Sequence, residues 1–207
     1  IPLNFAAHRV PPKNMFRRPY LHAVSLICAL AALHMPLAVR ADDLTNQRAR
    51  FPLVWETAQH GPAGAWRRLA PGLESYPLFP YLELASLQRR IQDVQQPEAQ
   101  KFLAAWPNSL PAKLWREAYL AELARRGDWR DFLHLYTPDG AGTALQCHAV
   151  HARIALGEKV DFHADVEPLW LAAQPLPDAC DTVSAWARDK LTSGLIWQRI
   201  DLAADAG

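Results

Sequence analysis

The chain lacks the features that mark a membrane span, a nucleic-acid binder or a nucleophilic enzyme. Its apolar run, Ala23 to Leu33, is shorter than the about 20 residues a membrane helix needs, and no second run follows it. No alternating stretch long enough for a convincing strand occurs. The usual nucleophile and phosphate-cradle motifs are missing as well. Cysteine is scarce, with three in 207 residues. Positive charge is scarce once the first residues are set aside. Residues 1–41 hold Arg9, Lys13, Arg17, Arg18 and Arg40, which leaves 17 Lys and Arg against 21 Asp and Glu, a formal charge of −4 over residues 42–207. Without a basic patch interleaved with aromatics, nucleic acid is excluded as the expected partner.

The start of the chain has the anatomy of an export signal. Arg17 and Arg18 follow Met15, the apolar run comes next, and Val39-Arg40-Ala41 puts small residues at the −3 and −1 positions of a cut before Asp42. This predicts a signal peptide over residues 15–41, cleaved between Ala41 and Asp42, and an exported product with no stable membrane anchor. Cys28 raises the alternative of a lipid anchor, but Ile27 stands where a small residue normally precedes a lipid-modified cysteine. Residues 1–14 precede the first methionine and read as an upstream extension rather than a domain.

In an exported chain, disulfides form and persist. Cys147 and Cys180 are the two cysteines of the mature segment, and pairing them closes a loop of about 34 residues, worth roughly 3–4 kcal/mol in chain entropy. A metal site competes with this reading. Cys147 and His151 lie four apart, on one face of a helix, with His148 between them and His163 further on, although a closed zinc site needs four ligands.

Helical periodicity runs through nearly all of the mature segment. Leu114, Ala118 and Ala121, with Leu120, Leu123 and Ala124, recur at three and four residues, while Arg116, Glu122, Arg125 and Arg126 fill the positions between. Pro97 and Pro111 suit first turns, Ser109 suits a cap before the second, Gly127 suits a helix end and Asp128 a cap for the next helix. The pattern predicts helices near 44–59, 63–73, 79–95, 98–106, 111–126, 129–136, 141–156, 163–173, 178–189 and 194–206.

These helices repeat as hairpins. Trp66-Arg67-Arg68-Leu69 leads to Tyr76-Pro77, and Trp129-Arg130-Asp131-Phe132 leads to Tyr136 and Pro138, so each tryptophan opens a short helix followed by an aromatic near a proline. Such repetition indicates an all-α, right-handed superhelix of helical hairpins, a tetratricopeptide-like solenoid in which each hairpin buries its face against its neighbours. The eight tryptophans then serve inter-helix packing, or, for any facing a concave surface, stack on a pyranose ring.

Several segments in order resemble one family. Leu73-Glu74-Ser75-Tyr76-Pro77-Leu78-Phe79-Pro80-Tyr81-Leu82-Glu83, then Gly127-Asp128-Trp129, Gln146-Cys147, Leu169-Trp170-Leu171, Leu176-Pro177-Asp178-Ala179-Cys180-Asp181 and finally Trp197-Gln198-Arg199-Ile200 running to Ala206-Gly207 are similar to the soluble lytic murein transglycosylases. The resemblance covers nearly all of residues 44–207. It implies that residues 42–207 are the N-terminal part of an α-superhelical scaffold which, in the family, curves into part of a ring ahead of a lysozyme-like catalytic domain. It also implies a bridge between Cys147 and Cys180.

The family's activity, as the resemblance implies it, is periplasmic cleavage of the β-1,4 bond between N-acetylmuramic acid and N-acetylglucosamine, leaving a 1,6-anhydro end without metal or organic cofactor. Its catalytic glutamate lies in a Glu-Ser motif of the lysozyme-like domain, which is expected to be missing here, so this chain is expected to be a truncated scaffold with no catalytic residue and no activity alone. Glu74-Ser75 falls in the helical segment and does not inherit that role; Glu74, Glu83 and Glu117 read as solvated helix charges. Peptidoglycan glycan strands are the expected partner, engaged by the full-length protein. The reading from another class is an exported helical-repeat interaction module without enzymatic activity, since fold alone does not settle function.

Overall fold

The computed structural model describes residues 43–206. The upstream extension 1–14, the leader 15–41, Cys28 and the cut between Ala41 and Asp42 lie outside the described residues. The chain divides into two compact units, 1–52 and 53–207. Helix α1 is the run 43–60. In the first unit Gln47 is buried and its amide donates to the Asp43 carboxylate at 3.4 Å.

The second unit carries the rest of the helices: α2 (Trp66–Leu69), α3 (Phe79–Gln88), α4 (Gln96–Ala105), α5 (Leu110–Arg126), α6 (Trp129–Leu135), α7 (Thr143–Ala155), α8 (Glu167–Trp170), α9 (Asp181–Ala187) and α10 (Ser193–Ala206). No strand occurs among the described residues. The best-specified helix is α5. Ser109 accepts the Ala112 N–H at 3.2 Å, Pro111 occupies the first turn where its missing N–H leaves nothing unpaired, and Gly127 ends the helix in the left-handed conformation at φ 75°. The Asp128 N–H then reaches the Leu123 carbonyl at 2.9 Å, completing the cap.

Helices adjacent in sequence pack on each other. α5 packs on α3, α4, α6 and α7, and α7 in turn on α6 and α9. Trp115, Tyr119 and Leu123, four residues apart along α5, are fully buried with Phe102 of α4, Phe132 of α6 and Ala152 of α7. Trp115 stacks on Tyr119 at 5.2 Å and meets Phe102 edge-on at 6.3 Å. A second core joins Cys147 and Val150 of α7 to Phe162, Val166, Cys180 and Val183. α7 thus buries opposite faces in two consecutive cores, which is how a solenoid passes its hydrophobic stripe from one hairpin to the next.

Several of the expected helices change, among them the one over 178–189, which is α-helical only over Asp181–Ala187 between two 3-10 turns. The helix expected over 63–73 shrinks to α2, between Gly64 at φ 71° and the Pro71-Gly72 turn. The 79–95 helix stops at Gln88, and Ile91–Asp93 forms a separate 3-10 turn. Beyond the break, Arg126 of α5 donates to the carbonyls of Ile91 and Val94. The 163–173 helix becomes a π-helical turn, Phe162–Val166, followed by the single turn α8. Asp128 holds the cap position of α6, but no side-chain cap bond forms there. The packing role of the tryptophans fits Trp66 and Trp115, both buried, and fails for Trp197, which is 64% exposed.

Candidate functional site

The carboxylates come first, because glycoside chemistry needs one that holds a proton. Glu74 is exposed and accepts the Gly72 N–H at 2.8 Å, which ties it to its own turn. Glu83 accepts the Trp106 indole N–H at 2.6 Å, and Glu117 is exposed on α5. Among the described residues, each carboxylate with a displaced pKa is displaced downward. Hydrogen bonds from Arg90 lower Glu98 against the opposing effect of burial. Those from Arg125, then Arg126, lower Glu122 to about 2, again against burial. Burial tends to raise Asp165, but Arg153 and the Asp161 N–H outweigh it. A general acid requires the opposite displacement, and the residues around these groups are built to hold anions.

Cys147 and Cys180 stand 5.0 Å apart at Cα with their sulfurs joined, one on α7 and the other on the 3-10 turn Asp178–Cys180. Both are buried in the second core. The histidines of the competing metal reading turn elsewhere. His151 lies against Trp129 at 4.4 Å, His148 lies between Trp129 and Phe132 at 6.3 and 6.2 Å, and His163 pairs with Glu167. No group of three or more His, Cys, Asp or Glu side chains converges on a metal position among the described residues.

A groove of about 460 Å³ opens where α6, α7 and the 162–170 turn meet. Leu133 and Tyr136 line one side, Val150 and Leu169 another, and Gln146, Arg153 and Asp165 supply the polar lining. Each of those polar side chains is already fixed. Gln146 donates to the Ala141 carbonyl at 2.7 Å, and Arg153 bridges the Asp165 carboxylate at 2.8 Å while also donating to the Lys159 carbonyl. The second Asp165 oxygen accepts the Asp161 N–H at 2.8 Å, and Asp161 itself accepts the Ala164 N–H at 2.9 Å. One face of Tyr136 is covered by Phe132, stacked at 5.7 Å.

Gln146 stood in the sequence only as part of a motif of the resemblance, and Arg153 and Asp165 were not marked at all. Twelve residues separate those two, across a helix end and a loop, so no helical spacing joins them. Glu122 and Arg126 were recoverable, since a four-residue separation places them together on α5.

The class that these observations define is an all-α scaffold of stacked helical hairpins in which arginines hold Glu98, Glu122 and Asp165 as anions and which carries a polar-lined groove. No family model matches the chain. Relatives narrow the class. The soluble lytic murein transglycosylase of Escherichia coli strain K12 is 30% identical over 185 residues, 88% of this chain and 28% of the relative. That of Salmonella typhimurium is 31% identical over 184 residues, 87% of this chain and 28% of the relative. The crystal structure of the 70-kDa soluble lytic transglycosylase from Escherichia coli superimposes with a TM-score of 0.69 at 30% identity, over 79% of this chain and 27% of that one. An inactive mutant of lytic transglycosylase Slt from Pseudomonas aeruginosa does so with a TM-score of 0.67 at 29% identity, over 75% and 26%. The chain is therefore a relative of the soluble lytic murein transglycosylases in both sequence and fold. It spans a little over a quarter of the length of the curated relatives it matches.

Proposed function

We propose that residues 42–207 are the N-terminal part of the helical scaffold of an exported, periplasmic lytic transglycosylase. The parent protein cleaves the β-1,4 bond between N-acetylmuramic acid and N-acetylglucosamine in peptidoglycan and leaves a 1,6-anhydro end, without metal or organic cofactor. Residues 15–41 are its signal peptide, cut between Ala41 and Asp42, and residues 1–14 an upstream extension. The scaffold holds the glycan strand or restricts its approach; a lysozyme-like domain outside residues 43–206 supplies the catalytic acid. Cys147 and Cys180 are bridged in the oxidising compartment, where such a bond persists.

The observation that carries this reading is the joint likeness in sequence and fold to murein transglycosylases along at least three quarters of the chain. The carboxylates agree with it. Glu122, Glu98 and Asp165 are all held as anions by arginines, whereas a glycosidic acid needs a pKa raised toward the working pH.

The experiment compares this chain with the same residues extended into a lysozyme-like domain, each incubated with purified murein. The extended protein should release anhydro-muropeptides, detected by mass, and the chain alone should release none. Glu74→Gln in the extended protein should leave turnover within about twofold, because Glu74 bonds its own turn rather than substrate. Digestion by the chain alone, abolished by Glu74→Gln, would put the active site in the helical region and overturn the reading.

A further inference from the structure

The groove between α6, α7 and the 162–170 turn has a chemistry more specific than a gap between helices. It is walled by apolar side chains, Leu133, Val150 and Leu169, with Tyr136 at one side and one ion pair, Arg153 with Asp165. Its volume of about 460 Å³ falls within the roughly 300–1,000 Å³ of small-ligand sites, which combine mostly apolar walls with a few placed polar groups.

The ion pair decides what kind of ligand suits the groove. Arg153 and Asp165 cancel in charge, so an anion or a cation gains little there. What remains is hydrogen-bonding capacity. A guanidinium has five donors and a carboxylate about four acceptor sites. Arg153 spends donors on Asp165 and the Lys159 carbonyl, and Asp165 spends acceptors on Arg153 and the Asp161 N–H. Both keep free capacity in a fixed geometry, donor beside acceptor. Neighbouring hydroxyl or amide groups on a neutral ring, each able to give and take a hydrogen bond, complement that pair. An apolar ring face and an acetamido methyl complement the walls.

The local backbone around Asp165 points the same way. Asp165 sits in the π-helical turn Phe162–Val166, and π-turns are uncommon and occur frequently at functional sites. The turn is set by Asp161, whose carboxylate caps Ala164 while its own N–H binds Asp165. Those contacts hold the acceptor oxygens in place before any ligand arrives, so ordering them adds little to the cost of binding.

We propose that this groove is a subsite for one N-acetylated pyranose of a glycan strand, with Arg153 and Asp165 bonding the ring substituents and the Tyr136, Val150 and Leu169 walls taking the apolar face and the acetyl methyl. The proposal rests on the peptidoglycan reading above and adds the contact residues to it. It assigns no chemistry to the groove, only retention of the strand.

The test uses the full chain labelled with nitrogen-15 and titrated with the N-acetylglucosamine trimer, with maltotriose as the control that lacks acetamido groups. Saturable shifts of amides in 149–153 and 164–169 are expected with the first sugar and not with the second. Ala164 is exposed at the groove's edge, so Ala164→Trp fills the space and leaves the Arg153–Asp165 pair intact; it should weaken trimer binding at least tenfold with an unchanged melting curve. Asp165→Asn should weaken it by a similar factor. Equal shifts with maltotriose, or wild-type affinity in both variants, would overturn the subsite. Sedimentation with insoluble murein separates the two levels. Co-sedimentation that Ala164→Trp leaves unaltered sinks the subsite but keeps the glycan reading, whereas absence of co-sedimentation and of trimer shifts sinks the subsite and weakens the glycan reading with it.

Discussion

Glu122 shows at the scale of one residue how this sequence handles a buried charge. It is nearly enclosed at the end of α5, and Arg125 and Arg126 hold both its oxygens at 2.7–2.8 Å. Arg126 also binds the carbonyls of Ile91 and Val94 and lies over the Tyr119 ring at 5.9 Å. One carboxylate therefore orients the arginine that holds the 3-10 turn after α3. Replacing it by Gln keeps the shape and removes the charge that positions Arg126. Breaking a fully buried pair costs about 3–5 kcal/mol; with Arg125 exposed, Glu122→Gln should cost roughly 2–3 kcal/mol, read from urea unfolding. The pH dependence has a definite sign. A carboxyl with its folded pKa lowered from 4.5 to about 2 contributes stability that is present above 4.5 and lost as pH falls toward 2. The wild type should lose stability across that window, and Glu122→Gln should lose less. An unchanged slope would mean that Glu122 is not the group titrating there.

His148 titrates in a higher range. Burial lowers its pKa below the ordinary 6.5, with the neighbouring His151 adding to the effect, and its Nδ1 is buried with no hydrogen-bond partner. The neutral ring is the one that fits between Trp129 and Phe132. Because the unfolded chain takes up the proton first, the contribution is complete above 6.5 and declines as pH falls below it. Thermal melts between pH 7.5 and 5 should move down, and His148→Gln should flatten that step. Melting that is level over this range in the wild type would show that the ring accepts its proton without cost.

At the scale of elements, what could be read from the sequence was whatever local chemistry decides. α5 was legible because Ser109, Pro111 and Gly127 specify its two ends within a few residues, and the repeated Trp openings marked α2 and α6. The break after Gln88 was not legible, since the 3-10 turn that follows it is held by Arg126, 35 residues from Ile91. The π-helical turn escaped for a similar reason: its Asp165 answers to Arg153 on α7. The candidate groove was hidden because it is made of three elements that sequence places apart. Local specification can be tested locally. Ser109→Ala should cost about 1 kcal/mol, and Gly127→Ala about 1–2 kcal/mol for a left-handed residue with a Cβ, both measured by chemical denaturation. The Cys147–Cys180 closure works at longer range: an intact mass about two daltons below the reduced chain is expected of exported protein, and reduction should cost roughly 3–4 kcal/mol. Free thiols under native conditions would refute the bridge.

At the scale of the second unit, one face of α10 stays exposed among the described residues. Leu195 packs into the second core, and Arg199 fixes α10 by donating to the carbonyls of Trp170 and Ala172 while lying over the Trp170 ring at 4.9 Å. These contacts orient the helix, and they turn Ile196, Trp197 and Ile200 outward at 43%, 64% and 47% exposure. The three residues lie at helical spacing and form an apolar stripe, unlike isolated exposed leucines such as Leu53 and Leu78. Burying apolar surface gains roughly 25 cal/mol per Å², so the stripe favours any contact that covers it, including contact between copies. The isolated chain should therefore bind a hydrophobic dye and self-associate with rising concentration in sedimentation velocity. Combining Trp197→Glu with Ile200→Lys should abolish both while changing stability by no more than about 0.5 kcal/mol, as for other exposed positions. Self-association that persists in the double variant would locate the sticky surface elsewhere, and a large loss of stability would mean that the stripe packs against something within the chain.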